Sequence, residues 1–462
     1  MLDFKTPGVY IQEIPKLPPS IASVETAIPA FIGYTQKADL KIAGDLIRKP
    51  TRITSMLEYE RYFGKADPET GLVAAFTGAG TSDVAVTATI NPATASVHLL
   101  YYSMQLFFAN GGGPCYIISV GIYPGAITNT DLEHGIDDAG TINEVTLLVV
   151  PEAVNITGGS AVAQYYGIFD KALDQCVELQ DRFTVMDVYP SGATAAADLR
   201  STLSNDVLKL KYGAAYYPRL YTLLTYDYSD ETLVTVTGVG GSATLDALKA
   251  ANLKYYNMAK AAINGLEMLL PAAPAVVGQY AATDNLRGVW KAPANVNISR
   301  ATRPQLIVTG KQQAGLNVDE VSGKSIDVIR SFPGRGPAII WGARTLAGND
   351  NEWRYVPVRR FFNMVEESVK NATEQFVFEP NDQNTWTRVK SMIENYLTTQ
   401  WKNGALMGAS TAEAFYVHIG LGSTMTELDI WEGRMIVEIG MAVVRPAEFI
   451  VLTFMHKMLS EK

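Results

Sequence analysis

Apolar residues along this chain recur with two different periods. Val97, Tyr101, Met104 and Phe108 stand at helical spacing, and the pattern ends at Gly111-Gly112-Gly113-Pro114. A continuous apolar run follows over 116–120. The same succession then repeats. A run over 145–150 (VTLLVV) stops at Pro151, after which Val162, Tyr166, Phe169, Leu173 and Cys176 again share one helical face. A third run over 183–188 (FTVMDV) ends at Tyr189-Pro190-Ser191-Gly192, and a fourth over 214–217 ends at Pro218. Strands that are apolar on both sides, alternating with amphipathic helices, predict a mostly parallel sheet covered on both faces. This α/β section is expected over 25–345. After Trp341 the texture changes to helices over 361–373 and 385–402 and strands over 414–419 and 435–444, an α+β module spanning 346–445.

Two stretches interrupt the α/β pattern and read as insertions. Residues 66–96 are small and polar, and 226–243 read as a hairpin or flap ending in Gly238-Val239-Gly240-Gly241. One long helix is expected over 244–269, with Leu248, Ala251, Tyr255, Met258, Ala262 and Leu266 on one face. The two ends are unusual. Val9, Tyr10, Ile11 and Ile14 lie in a strand signal fenced by Pro7-Gly8 and Pro15, with Leu17-Pro18-Pro19 beyond and no second strand at hairpin distance. Phe449, Val451, Leu452 and Phe454 lie in a similar signal (FIVLTFMH, 449–456) after Arg445-Pro446. These arms, 1–24 and 446–462, either pair with each other inside one subunit or add to the sheet of another; periodicity leaves both open.

Composition points to a covered surface. Among 462 residues 47% are hydrophobic and only 18% charged, against about 25% charged in ordinary soluble domains. No stretch approaches the roughly 18 uncharged apolar residues of a spanning helix, so no membrane insertion is expected. The opening MLDFKTPGVYIQEIPKLPPS has neither a basic n-region nor an apolar h-region, so no signal peptide is read and synthesis in the cytoplasm is expected. With 38 Lys+Arg against 47 Asp+Glu, a net charge of −9 and no basic run, nucleic-acid binding is not expected. Cys115 and Cys176 lie in apolar patterns and read as core thiols.

Chemical motifs fail one by one. The turn Gly238 to Ala243 (GVGGSA) follows a strand pattern but leads into a long helix, without the second strand and acidic residue of a dinucleotide site. Gly323-Lys324-Ser325 resembles the end of a phosphate loop, yet Val318 stands where its first glycine belongs. Gly80-Thr81-Ser82 invites a serine-hydrolase reading, but the first histidine, His98, comes after Ser82, against the Asp-His-Ser order of subtilisins. His98, His134, His418 and His456 are scattered and lack metal-ligand spacing. No catalytic residue, cofactor or metal is predicted. What remains is an arginine block, Arg335, Arg344, Arg354, Arg359 and Arg360, interleaved with Trp341, Trp353 and Tyr355. It suits either a protein interface or internal ion pairs. On the 385–402 helix, Trp386, Val389, Ile393 and Leu397 form an apolar face, while Arg388, Asn395 and Lys402 form a ridge opposite it, either solvated or set against an acidic partner.

A family resemblance runs collinearly from residue 7 to 456. PGVYI (7–11), FFANGGGP (107–114), LLVVP (147–151), RGVWKAPAN (287–295), FPGRG (332–336), IWGARTL (340–346), EWRYVPVRR (352–360), EES (366–368), FEPND (378–382) and PAEF (446–449) resemble contractile tail sheath proteins of phages, pyocin-like particles and extracellular contractile injection systems. The insertions at 66–96 and 226–243 fall outside it. The resemblance implies a subtilisin-like α/β domain without catalysis facing outward, a C-terminal domain facing an inner tube, and terminal arms that donate strands to neighbouring subunits. It makes the ridge Arg388, Asn395 and Lys402 the tube contact and places the net −9 mainly on the outward domain. It further implies a homo-oligomer of stacked hexameric rings, with inner tube, baseplate and terminal cap proteins as partners, assembled in the bacterial cytoplasm as part of a tail-like particle. TPGVYIQEI and SVETAIPAFIGYT are closer to injection-system sheaths, with a phage or prophage tail as the alternative. A hydrolase-like enzyme and a static shell are the rivals from other classes.

Overall fold

A computed structural model describes residues 20–189, 192, 194–241 and 243–452. Its main sheet has nine strands: β1 (Pro29–Thr35), β2 (Thr51–Ile53), β3 (Cys115–Ile122), β4 (Leu147–Val149), β5 (Phe183–Asp187), β6 (Gly213–Tyr217), β7 (Val296–Asn297), β8 (Asp327–Phe332) and β9 (Gly336–Ile340). Their spatial order is β7-β9-β8-β6-β5-β4-β1-β3-β2. From β8 to β3 every pairing is parallel, while β2 on one side and β9 and β7 on the other close the sheet antiparallel.

The four apolar runs are β3, β4, β5 and β6, and each is buried on both faces, as a parallel sheet between helices requires. Successive side chains go to opposite cores. Ile32, Ile118, Leu148 and Met186 pack towards the helices Asn129–Ala139 and Ala161–Leu179. Phe31, Ile117, Val149 and Val185 pack towards Leu100–Ala109 and Ala273–Arg287. The run pattern does not mark β1, because Pro29 and Gly33 read as strand breakers. Gly33 is there for space: a Cβ would stand 2.8 Å from the buried Oε2 of Glu152.

Two expectations change. The helix expected over 244–269 is two, Leu245–Ala251 and Leu253–Asn264, and Met268–Leu270 is a strand. Asn252 makes the break: extended itself, it caps the second helix by accepting the Tyr255 N–H. The two insertions, in turn, are one module. Strands Leu72–Thr77 and Ala85–Ile90 from the first and Thr235–Thr237 from the second form a three-stranded sheet. Leu72, Ala74, Phe76 and Val236 bury one side of it against Leu245, Leu248, Tyr256 and Ile263.

The chain separates into two compact units. The larger comprises residues 25–364 with 445–452 and extends past 345, since Leu346 and Val356 are built into its cores. The smaller comprises 20–24 with Val365–Val444. Its helix Gln383–Lys402 starts at Asp382, whose side chain accepts the Thr385 N–H, and buries Trp386, Val389, Ile393 and Leu397. Phe415–His418 and Glu438–Met441 pair antiparallel, and among the described residues no third strand joins them.

Candidate functional site

An α/β enzyme keeps its reactive groups at the carboxyl ends of its parallel strands. Here those places hold buried carboxylates bound to backbone. Asp187, the last residue of β5, accepts the Ala272 and Ala273 N–H groups at 2.5 and 3.3 Å, at the start of the Ala273–Arg287 helix. Glu152, just beyond β4, accepts from Tyr34 at 2.7 Å and from Leu99 and Leu100 at 3.0 and 3.2 Å, where the Leu100–Ala109 helix begins. Each carboxylate fills a helix N-terminus that would otherwise leave donors orphaned. Burial pushes Glu152 up to about 8 and Asp187 up to about 6, with those backbone N–H bonds working the other way.

Among the described residues no hydrolase constellation forms around them. His98 is buried, stacked on Tyr123 at 5.1 Å, with Nδ1 3.8 Å from Glu152 and Nε2 4.0 Å from Asp67. Burial lowers its pKa, against the pull of Asp67. Ser96 donates to Asp67 at 2.7 Å, and the Ser82 hydroxyl faces its neighbour Asp83. Among the described residues no group of three or more His, Cys, Asp and Glu could hold a metal ion. Both cysteines are buried, and burial pushes the Cys176 thiol up to about 12, so it is held as an unreactive thiol.

The arginine block divides. Arg359 and Arg360 are buried within their own chain, the internal alternative for this block. Arg359 lies against Trp353 and Tyr212, 4.3 and 4.9 Å from the ring centres, and Arg360 pairs with Asp284 at 2.5 Å and faces Tyr280. Arg344 is also buried, and its partner is Glu448: Nε and Nη2 reach the two carboxylate oxygens at 3.0 and 2.7 Å. Its Nη1 donates to the carbonyls of Asn317 and Gly348. Arg354 is half-buried and holds the Gly348 carbonyl and the Asn351 side chain. Arg335 alone is exposed, its guanidinium over Trp341 at 4.8 Å and bonded to Asn295.

On the smaller unit, Arg388, Asn395 and Lys402 all lie exposed on the face of Gln383–Lys402 opposite its buried stripe. Arg388 leans over Phe376 at 5.3 Å and stands 3.9 Å from Glu379. The charge distribution departs from expectation. Val365–Val444 holds 11 Asp+Glu against 5 Lys+Arg, a net −6 of the chain's −9, so the charge is concentrated on the smaller unit and not on the α/β section. Within it the ridge helix runs the other way, with Arg388, Lys390 and Lys402 against Glu394. At the ends, Val9, Tyr10, Ile11, Ile14 and Phe454 lie outside the described residues, and Phe449, Val451 and Leu452 are exposed, with no strand partner among the described residues.

A family model for the phage tail sheath C-terminal domain matches residues 348–456. Over its whole length the chain resembles a protein in the cryo-EM structure of the anti-feeding prophage (AFP) helical sheath in contracted state. The two are 30% identical with a TM-score of 0.66, over 98% of this chain and 100% of that one. The chain belongs to the contractile tail sheath family. This sheath protein is also similar to a chain of the six-fold symmetrised AFP baseplate, at 32% identity and a TM-score of 0.65 over 98% and 100% of the two chains. A chain of the PVC sheath complex in contracted state, from an extracellular contractile injection system, gives 29% and 0.65 over 99% of each. The tail sheath protein of Vibrio phage KVP40 is 27% identical over 129 residues; the match spans 28% of this chain and 19% of that protein.

Motif searching alone misses the carboxylates of this sheath protein. Glu152 and Asp187 are single acidic residues next to apolar runs, and their signal was position, at the stop of a buried strand. Glu448 was visible only as part of PAEF.

Proposed function

We propose that this sheath protein polymerises as stacked hexameric rings around an inner tube, in an extended metastable state. A baseplate signal then lets the rings rotate and compress, driving the tube through a target membrane. The observation that carries this reading is the end-to-end likeness to the AFP helical sheath in contracted state, 30% identical over 98% of the chain. An extracellular contractile injection system is the setting favoured by the likeness to the PVC sheath complex. A phage tail is the second reading, favoured by the match to the phage tail sheath C-terminal domain. In either setting the particle assembles in the cytoplasm, with baseplate and cap proteins as further partners.

In this reading the larger unit is the outward, subtilisin-like domain. Its strand-end carboxylates are already bound by helix N-termini, which supports a scaffold without catalysis. The energy of contraction lies in the difference between two sets of interfaces rather than in nucleotide hydrolysis. The terminal arms carry strands from Val9, Tyr10, Ile11 and Ile14 and from Phe449, Val451, Leu452 and Phe454 to neighbouring copies. Among the described residues the Phe415–His418 and Glu438–Met441 pair has no third strand, which supports strand addition, because a two-stranded sheet is marginal alone. Electron micrographs of the protein assembled on its tube should show lattices of two lengths, extended and contracted. A single fixed length under every condition would instead favour a static shell.

The ridge gives a separate expectation. Its positive charge stands out on an acidic unit, which suits an acidic tube surface. Reversing it with Arg388→Glu and Lys402→Glu should weaken assembly on tube about tenfold or more while leaving sheath self-association unchanged. Co-sedimentation with tube checks this, and undiminished tube decoration would refute the assignment.

A further inference from the structure

The start of the C-terminal arm reverses the usual order of burial. Phe449, Ile450, Val451 and Leu452 are 70, 79, 86 and 71% exposed, whereas the charged residue just before them is held inside. The Glu448 side chain is 21% exposed and its partner Arg344 4%. Ordinarily a chain buries the apolar residues and leaves the carboxylate in water.

Glu448 is bound from several directions. Arg344 approaches as a fork, and Asn317 Nδ2 donates to Oε1 at 2.6 Å and the Tyr355 hydroxyl to Oε2 at 3.1 Å. Burial works to raise the Glu448 carboxyl, and the bonds from Arg344 and Asn317 more than offset it, leaving the carboxyl below its ordinary value. The surrounding groups are themselves fixed. Asn317 ends the Gly310–Asn317 helix, Tyr355 directly precedes the Val356–Thr373 helix, and the Arg344 backbone N–H is held by the buried Asp327 at 2.9 Å. Three residues earlier, Arg445 donates to the Asn351 carbonyl at 2.6 Å. Between these holds and the exposed residues no helix or strand stiffens the chain.

We propose that Glu448 is the positioning residue of the C-terminal arm: locked by Arg344, Asn317 and Tyr355, it fixes the point and the register from which residue 449 onward leaves the subunit to pair with a second copy. This rests on the strand-donating reading above. A charge-paired anchor suits the role better than an apolar one. An apolar socket would accept Phe449 or Ile450 as readily as its intended occupant, and a slip of one residue turns every arm side chain to the wrong face of the receiving sheet. Of residues 446–452 Glu448 alone can satisfy a buried arginine fork, so the register has one solution.

The test uses the full chain with Glu448→Ala, Glu448→Gln and a single alanine inserted between Glu448 and Phe449, alongside a truncation after Glu448. Hydrogen exchange of amides 447–452 in the unassembled protein, its melting temperature and the concentration at which tubes appear are measured together. Glu448→Ala should free the arm root and raise the assembly concentration at least about tenfold, with Glu448→Gln intermediate because its amide keeps part of the hydrogen bonding. The insertion leaves every anchoring group in place, so it should fold and exchange as the natural chain does up to residue 448, yet assemble as poorly as Glu448→Ala. Assembly of the insertion variant at the natural concentration would overturn the anchor, and so would unchanged root exchange in Glu448→Ala. If those variants assemble normally while the truncation does not, the anchor falls and strand donation stands. If the truncation itself assembles, strand donation falls and the anchor with it.

Discussion

Truncating the chain after Glu448 should give a protein that melts within about 2 °C of the full chain but forms no tubes. The described residues it removes, 449–452, are all largely exposed, so the folded subunit loses almost no burial with these four. In the assembly the balance is the opposite. A fully buried Phe, Ile, Val or Leu contributes about 1.5–3 kcal/mol, so four of them docked on a neighbour represent on the order of 6 kcal/mol or more. At about 1.4 kcal/mol per tenfold, even a fraction of that changes the association constant by orders of magnitude at every contact of the lattice. Light scattering should find a monomer and negative stain no tubes. Tubes of normal length from the truncated chain would show that the exposed apolar row serves no intersubunit contact. Removing residues 1–19 makes the corresponding test of Val9, Tyr10, Ile11 and Ile14.

What could be read in the sequence was local, and what could not was set by partners far along the chain. β3 to β6 were legible because each is a run of apolar residues bounded by glycine or proline. β1 was hidden by Gly33, whose lack of a side chain answers to Glu152, over a hundred residues away. The two insertions gave no sign of pairing, because a three-residue strand, Thr235–Thr237, has no recognisable pattern until Val73, Ala74 and Ala75 lie beside it. The arginines from 335 to 360 show the same limit in charge. Arg335 and Arg360 look alike in sequence, yet one is exposed and the other is buried on Asp284, 76 residues earlier. The ridge Arg388, Asn395 and Lys402 was correctly placed opposite the buried stripe, because helical periodicity alone settles that. The location of the net charge was not, since it depends on where the smaller unit begins, at Val365.

Glu152→Ala should be among the most damaging single substitutions in the larger unit. It leaves the N–H groups of Tyr34, Leu99 and Leu100 without their acceptor in a site closed to water, and opens a cavity beside Gly33. Each buried donor left unpaired costs about 1–3 kcal/mol, so the total is on the order of 4 kcal/mol, or about 8 °C at roughly 2 °C per kcal/mol for a large domain. Glu152→Gln keeps one oxygen for Leu99 and Leu100 but turns an NH2 group towards Tyr34 N–H, and should cost about half as much. The pH dependence has a definite sign. Burial raises the Glu152 carboxyl from 4.5 to about 8, so between those values the folded chain holds a proton that the unfolded chain has lost. Stability therefore falls as pH rises through that window. Asp187, raised to about 6, and Asp327, raised by burial to about 8, act in the same direction. The natural chain should melt at progressively lower temperature from pH 5 to pH 8, and Glu152→Gln should flatten part of that slope. Thermal unfolding of the unassembled protein across this range decides it: an alanine variant within 2 °C of the natural chain, or a melting temperature that climbs towards pH 8, would mean that the carboxylate is not what closes the start of the Leu100–Ala109 helix.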